Sequence, residues 1–101
     1  MNDKERELLR EEIYELTQLF YNEWDDLRNA LHKVNIKIDN GRLVAFCEDE
    51  YSNECGVFIT SNNEIIQFEI NNESDKIQTK IITNIEEASK DFPQLAIALE
   101  D

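Results

Sequence analysis

Few side chains in this chain have the type and spacing that chemistry demands. Cys47 and Cys55 flank the loop of one expected hairpin, and in the simplest register they oppose each other. A cross-strand disulfide is therefore geometrically possible, while a reducing compartment would keep the pair as small buried thiols. Their spacing, with a single histidine in the chain, matches no zinc site. That histidine, His32, falls near the end of a long helical stretch with Lys33 beside it, where a cation complements the helix dipole. There is no glycine-rich phosphate loop, no G-x-S-x-G and no H-E-x-x-H, and carboxylates abundant in an acidic chain do not single out a catalytic pair. No enzymatic activity, catalytic residue, cofactor or metal is expected.

Binding chemistry is better represented. The stretch Glu48-Asp49-Glu50-Tyr51-Ser52-Asn53-Glu54 concentrates carboxylates around an aromatic residue. It lacks the alternating acids, central glycine and terminal glutamate of an EF-hand loop, so calcium is a weak reading. As a protein-binding element it makes better sense, because Glu48, Asp49, Glu50 and Glu54 can pair with Arg or Lys and Tyr51 belongs to a type enriched at interface hot spots. A solvated hairpin loop is the plain alternative. A second acidic patch, Glu23, Asp25 and Asp26, surrounds Trp24, which its position on the apolar helix face assigns first to the core.

The elements that carry these residues follow from periodicity. Asn2 and Glu5 have capping-box spacing, and from there to Val34 apolar residues recur at steps of three or four: Leu9, Ile13, Leu16, Phe20, Trp24, Leu27, Leu31 and Val34. Tyr14 and Tyr21 on one side, and Leu8, Leu19 and Ala30 on the other, widen the apolar surface to about 240°. A helix lying once across a sheet needs less, so a second helix or a partner chain must cover it. Tyr14, Leu19, Tyr21 and Trp24 are the natural anchors if the partner is another protein or a second copy in a homodimer. At about 1.5 Å per residue the helix would exceed a compact domain of this size, so it must bend near Asn22 or overhang.

After Val34 the period falls to two. Short strands are expected at Asn35 to Ile38, Arg42 to Cys47, Cys55 to Thr60, Glu64 to Ile70 and Lys76 to Thr83, with turns at Asp39-Asn40-Gly41, Ser61-Asn62-Asn63 and Asn71 to Asp75. In the strand ending at Ile70, Ile66 and Phe68 alternate with Gln67 and Glu69, giving one buried and one wet face. Asn84 and Glu87 repeat the capping-box spacing, and Pro93 restarts a short helix through Leu95, Ile97 and Leu99. The fold class is α+β: a long N-terminal helix packed on a four- to five-stranded antiparallel meander sheet, with a short C-terminal helix, as one domain over residues 1–101.

Charge narrows the function. Twenty-three Asp plus Glu against ten Lys plus Arg give a net charge of −13, distributed along the whole chain. A field of that sign repels nucleic acid and anionic membranes, so neither is an expected partner, and attracts basic surfaces such as nucleic-acid grooves. Solubility alone is the plain alternative. The charged amino terminus resembles no secretory signal and no apolar run approaches a membrane span, so a cytoplasmic location is expected. The reading is a non-enzymatic acidic protein that inhibits or neutralises a basic, nucleic-acid-handling protein, as a toxin-immunity protein would. One alternative is a phage-type nucleic-acid mimic directed at a host defence or DNA-binding protein. The other is an oligomerising adaptor that works through the long helix.

Overall fold

The computed structural model describes residues 2–74 and 76–100. Eight elements follow one another: α1 (Asp3–Asn22), α2 (Asp25–Lys33), β1 (Arg42–Glu48), β2 (Glu54–Ile59), β3 (Ile65–Asn71), β4 (Lys76–Ile81), α3 (Ile85–Asp91) and α4 (Pro93–Glu100). The strands form an antiparallel meander in the order β1-β2-β3-β4, the α+β architecture expected.

Both capping boxes form. The Asn2 side chain accepts from the Glu5 N–H at 2.8 Å, and that of Asn84 from the Glu87 N–H at 3.1 Å. Of the two outcomes its length allowed, a bend near Asn22 or an overhang, the helical stretch takes the bend. The N–H groups of Glu23 and Trp24 both return to the Leu19 carbonyl, at 2.8 and 2.9 Å, which closes α1 and lets the chain turn into α2.

The expected strand at Asn35 to Ile38 is not formed. Asn35 takes a left-handed φ of 65°, its N–H bonds the His32 carbonyl at 3.0 Å, and the Ile36 N–H reaches back to the Leu31 carbonyl at 3.1 Å. This is the Schellman closure of a helix, in which the apolar residue after the left-handed position folds under the last turn. Ile36 is accordingly buried in the same cluster as Leu31. Elsewhere the strand bounds shift by a residue or two. The last strand stops at Ile81, two residues before Thr83, although the Ile82 N–H still bonds the Ile65 carbonyl at 2.9 Å. In the turn from Asn71, the Asn71 side chain accepts from the Glu73 and Ser74 N–H groups, whereas Asp75 lies outside the described residues.

The sheet is packed on both faces. Phe58, Ile66, Phe68 and Ile70 meet Phe20, Leu27, Leu31 and Ile36 on one face. On the other, Val44, Val57, Ile59 and Ile65 lie under Leu95, Ile97 and Ala98 of α4. A bulge between Leu43 and Ala45 breaks the alternation of β1, sending Leu43 and Phe46 to the first face and Val44 and Ala45 to the second. At Gly56 the packing leaves no room for a side chain. A Cβ there would sit 2.4 Å from the Ala45 carbonyl oxygen and 2.7 Å from Cζ of Phe68.

Part of the breadth of the apolar surface of α1 has its cause in this arrangement, while Leu8 and Tyr14 stay exposed. The Thr17 hydroxyl accepts from the Leu43 N–H at 3.1 Å, which satisfies an edge donor of β1 and seats α1 along that edge. From there Leu9 and Ile13 reach one core while Leu16 and Phe20 reach the other. The second helix that the sequence calls for is supplied by the chain itself, since α4 packs against both α1 and β1.

Candidate functional site

The β1–β2 register places Glu48 directly opposite Glu54, one step beyond the pair Cys47 and Cys55. Both glutamates sit on the α2 side of the sheet, in phase with Phe46, and the break between α1 and α2 brings Glu23, Asp25 and Asp26 to face them. The two acidic patches that the sequence holds apart thus become the walls of one groove of about 960 Å³. Its floor is apolar. The rings of Trp24 and Phe46 lie 4.8 Å apart at 38°, and Ile70 and Ile77 extend the surface. Trp24 and Phe46 are both half-buried, so each supports the core below while presenting part of its ring to the groove. Leu27, Asn29, Ala30, Lys33 and Asn72 complete the lining, so one cation stands among the carboxylates.

The electrostatics of the groove are internally unfavourable. Partial burial pushes the Glu54 carboxyl above its ordinary range, and the neighbouring charges of Glu48 and Asp26 push it further. Asp25 is tied to Arg28, one helical turn away, in an ion pair. Like charges placed directly opposite on neighbouring strands destabilise a sheet, so this grouping opposes the fold that carries it.

The other expected site residues divide by role. Asp49 is spent on the loop: its carboxylate accepts from the N–H groups of Tyr51 at 2.8 Å and Asn53 at 2.9 Å, and from the Asn53 amide at 3.2 Å. These bonds, the one from Asn53 foremost, hold its carboxyl below the ordinary range. Asn72 also fixes the loop, donating from its side chain to the Ser52 carbonyl and from its backbone to the Asn53 side chain. Glu50 and Tyr51 stand exposed at the tip, outside the groove, with Tyr51 72% exposed.

Of the four expected helix anchors, Trp24 reaches the groove. Tyr14 is 67% exposed and borders a smaller depression with Arg10, Thr17 and Arg42. Leu19 is half-buried. Tyr21 is committed to the fold, because its hydroxyl donates to the Ile38 carbonyl and accepts from the Gly41 N–H at 2.7 Å. Burial drives its phenol above the usual value. Sequence reasoning missed Phe46, Ile70 and Ile77. The first could have been found, since Phe46 and Glu48 are two apart on one strand and must share a face.

Cys47 and Cys55 are bonded to each other, with Cα atoms 5.4 Å apart. They are not the buried thiols expected in a reducing compartment: Cys47 is exposed and Cys55 half-buried, on the sheet face away from the groove. The reason is that α4 covers the other end of that face, and the hairpin tip extends beyond it. Among the described residues no group of three His, Cys, Asp or Glu side chains is placed to hold a metal ion, and no helix is long and apolar enough to cross a membrane. Comparison of the chain with protein-family models, curated proteins and solved structures finds no match.

Proposed function

We propose that this chain is a non-enzymatic acidic binding protein that docks its groove on a basic surface of a nucleic-acid-handling protein and neutralises it, in the manner of an immunity protein. The observation that carries the reading is the convergence of Glu48, Glu54 and Asp26 over the Trp24–Phe46 floor, in a register that sets two carboxylates against each other. A basic surface would relieve that repulsion on contact, so the groups that oppose folding favour association. The net charge of −13 adds long-range steering toward such a partner. Encounter in the cytoplasm is part of the proposal. The nucleic-acid-mimic alternative needs phosphate-like carboxylate spacing, and no observation favours it over direct capture of a basic surface. The adaptor alternative, with its homodimer, would use the part of α1 that stays open at Leu8 and Tyr14, and no second observation favours it.

The test is capture from lysate of the source organism at low and physiological salt, with the wild type beside a Glu48→Lys, Glu54→Lys double variant. The reading expects a basic nucleic-acid enzyme that elutes with salt, is inhibited by the wild type and escapes the variant. Equal capture by both proteins, or an enzyme that remains active in the complex, refutes it.

A further inference from the structure

Resting on that docking role, we infer that the groove is shaped for an arginine-bearing segment of the partner and discriminates against lysine. The carboxylates alone would not discriminate, since Glu48, Glu54 and Asp26 attract any cation. Selection comes from the floor. A cation drawn between the two walls is pressed against Trp24 and Phe46, whose rings meet at 4.8 Å. A lysine ammonium is a compact, strongly hydrated charge that loses water on such a surface. The guanidinium is planar and weakly hydrated, stacks on an aromatic face, and keeps its N–H donors at the ring edge free for carboxylates on either side. Two acidic walls flanking an aromatic floor suit that geometry. The groove volume of about 960 Å³ is that of a site for several residues, and the half-buried Ile77 offers contact to apolar neighbours of the arginine. The occupant is therefore a basic amphipathic segment in which arginine alternates with apolar side chains.

Trp24 is the one tryptophan of the chain, so its emission reports on the groove directly. The probes are three capped pentapeptides with leucine at the second and fourth positions and arginine, lysine or citrulline at the others, titrated at low salt by calorimetry and fluorescence. The arginine peptide is expected to bind about fivefold tighter than the lysine peptide, with a change in Trp24 emission, and the neutral citrulline peptide not to bind. Trp24→Leu should bring the arginine-to-lysine ratio toward one, while Glu54→Gln should weaken both charged peptides. The comparison among peptides on the wild type stands even if Trp24→Leu fails to fold. Equal affinity for arginine and lysine, both reduced by Glu54→Gln, overturns the arginine inference and leaves the docking role intact. Absence of binding by any peptide, or binding indifferent to Glu54→Gln, overturns both.

Discussion

Replacing Glu54 by glutamine should make the protein more stable at neutral pH, although the substitution removes a group from the proposed binding site. Partial burial raises the Glu54 carboxyl most, and Glu48, which it faces across the β1–β2 ladder, and Asp26 raise it further. Like charges directly opposite on a sheet destabilise it by about 0.2–1 kcal/mol, and Glu54 still touches solvent, which screens the repulsion toward the lower half of that range. Allowing a smaller share for Asp26, Glu54→Gln stabilises by about 0.3–1 kcal/mol, or about 1–6 °C in the melting temperature of a domain this size. The pH dependence follows from the sign of the shift. A carboxyl raised in the folded state, above an ordinary value of 4.5, contributes stability that is fully present below that value and lost as pH rises through the folded one. Wild type and variant should therefore melt together at pH 3.5 and separate toward pH 7, and salt should narrow the gap at pH 7. Thermal unfolding by circular dichroism at the two pH values, at low and high salt, measures all of this. A variant less stable at pH 7, or stabilised equally at pH 3.5, would show that the charged Glu54 carboxylate is not what destabilises the fold, by burial or by repulsion.

Two further outcomes concern the frame around the groove. Tyr21→Phe removes the hydroxyl that joins Ile38 to Gly41 and leaves the buried Gly41 N–H without its acceptor, which costs about 1–3 kcal/mol in urea unfolding. Because burial raises the Tyr21 phenol, its contribution is fully present below pH 10 and fades as pH climbs through the folded value, so the gap between wild type and variant should close in alkali. Reduction of the Cys47–Cys55 bond frees a short loop and should cost about 2.5 kcal/mol, lowering the urea midpoint by about 1–2 M. An unchanged midpoint would mean that the bond constrains little. Thiol labelling at lysis without reductant tests the proposed cytoplasmic encounter with the same pair: reactive sulfurs fit a reducing compartment, whereas a bonded, unreactive pair counts against it.

The elements were legible where the signal is local. Two asparagine–glutamate boxes mark helix starts, alternation through Ile66, Phe68 and Ile70 marks a strand with one buried face, and the length of the first helical stretch calls for a bend near Asn22 or an overhang, of which the fold takes the bend. Misreading arose where a local pattern serves two structures. Ile36 and Ile38 alternate with polar residues as a strand would, yet Asn35 tolerates a left-handed φ of 65° and turns the same residues into the closure of α2. In β1 a single bulge reverses the facing of two neighbouring residues, which no alternation rule anticipates. Asp49 was counted among the binding carboxylates although an aspartate opening a short polar loop has a standard local use, accepting from the backbone ahead of it. The meeting of the two acidic patches lay beyond reach, because it depends on α2 folding back over the end of the hairpin.

That meeting also bears on whether the acidity does more than keep the protein soluble. Charges that serve solubility are best dispersed, since repulsion between them works against the compact state. In this fold the hairpin register could have placed a threonine or a lysine opposite Glu48 and gained a favourable cross-strand contact. Instead it places Glu54 there, brings Asp26 near enough to raise the same carboxyl, and sets the group over a half-buried tryptophan and phenylalanine. Local choices that contradict the fold, while the capping boxes, the Schellman closure and the core agree with it, are what the proposed binding site would produce. If that is their cause, stability and affinity must move in opposite directions at Glu54: the glutamine variant that melts later should bind its basic partner less tightly. A variant that gained both would reduce the convergence of these carboxylates to an accident of an acidic surface.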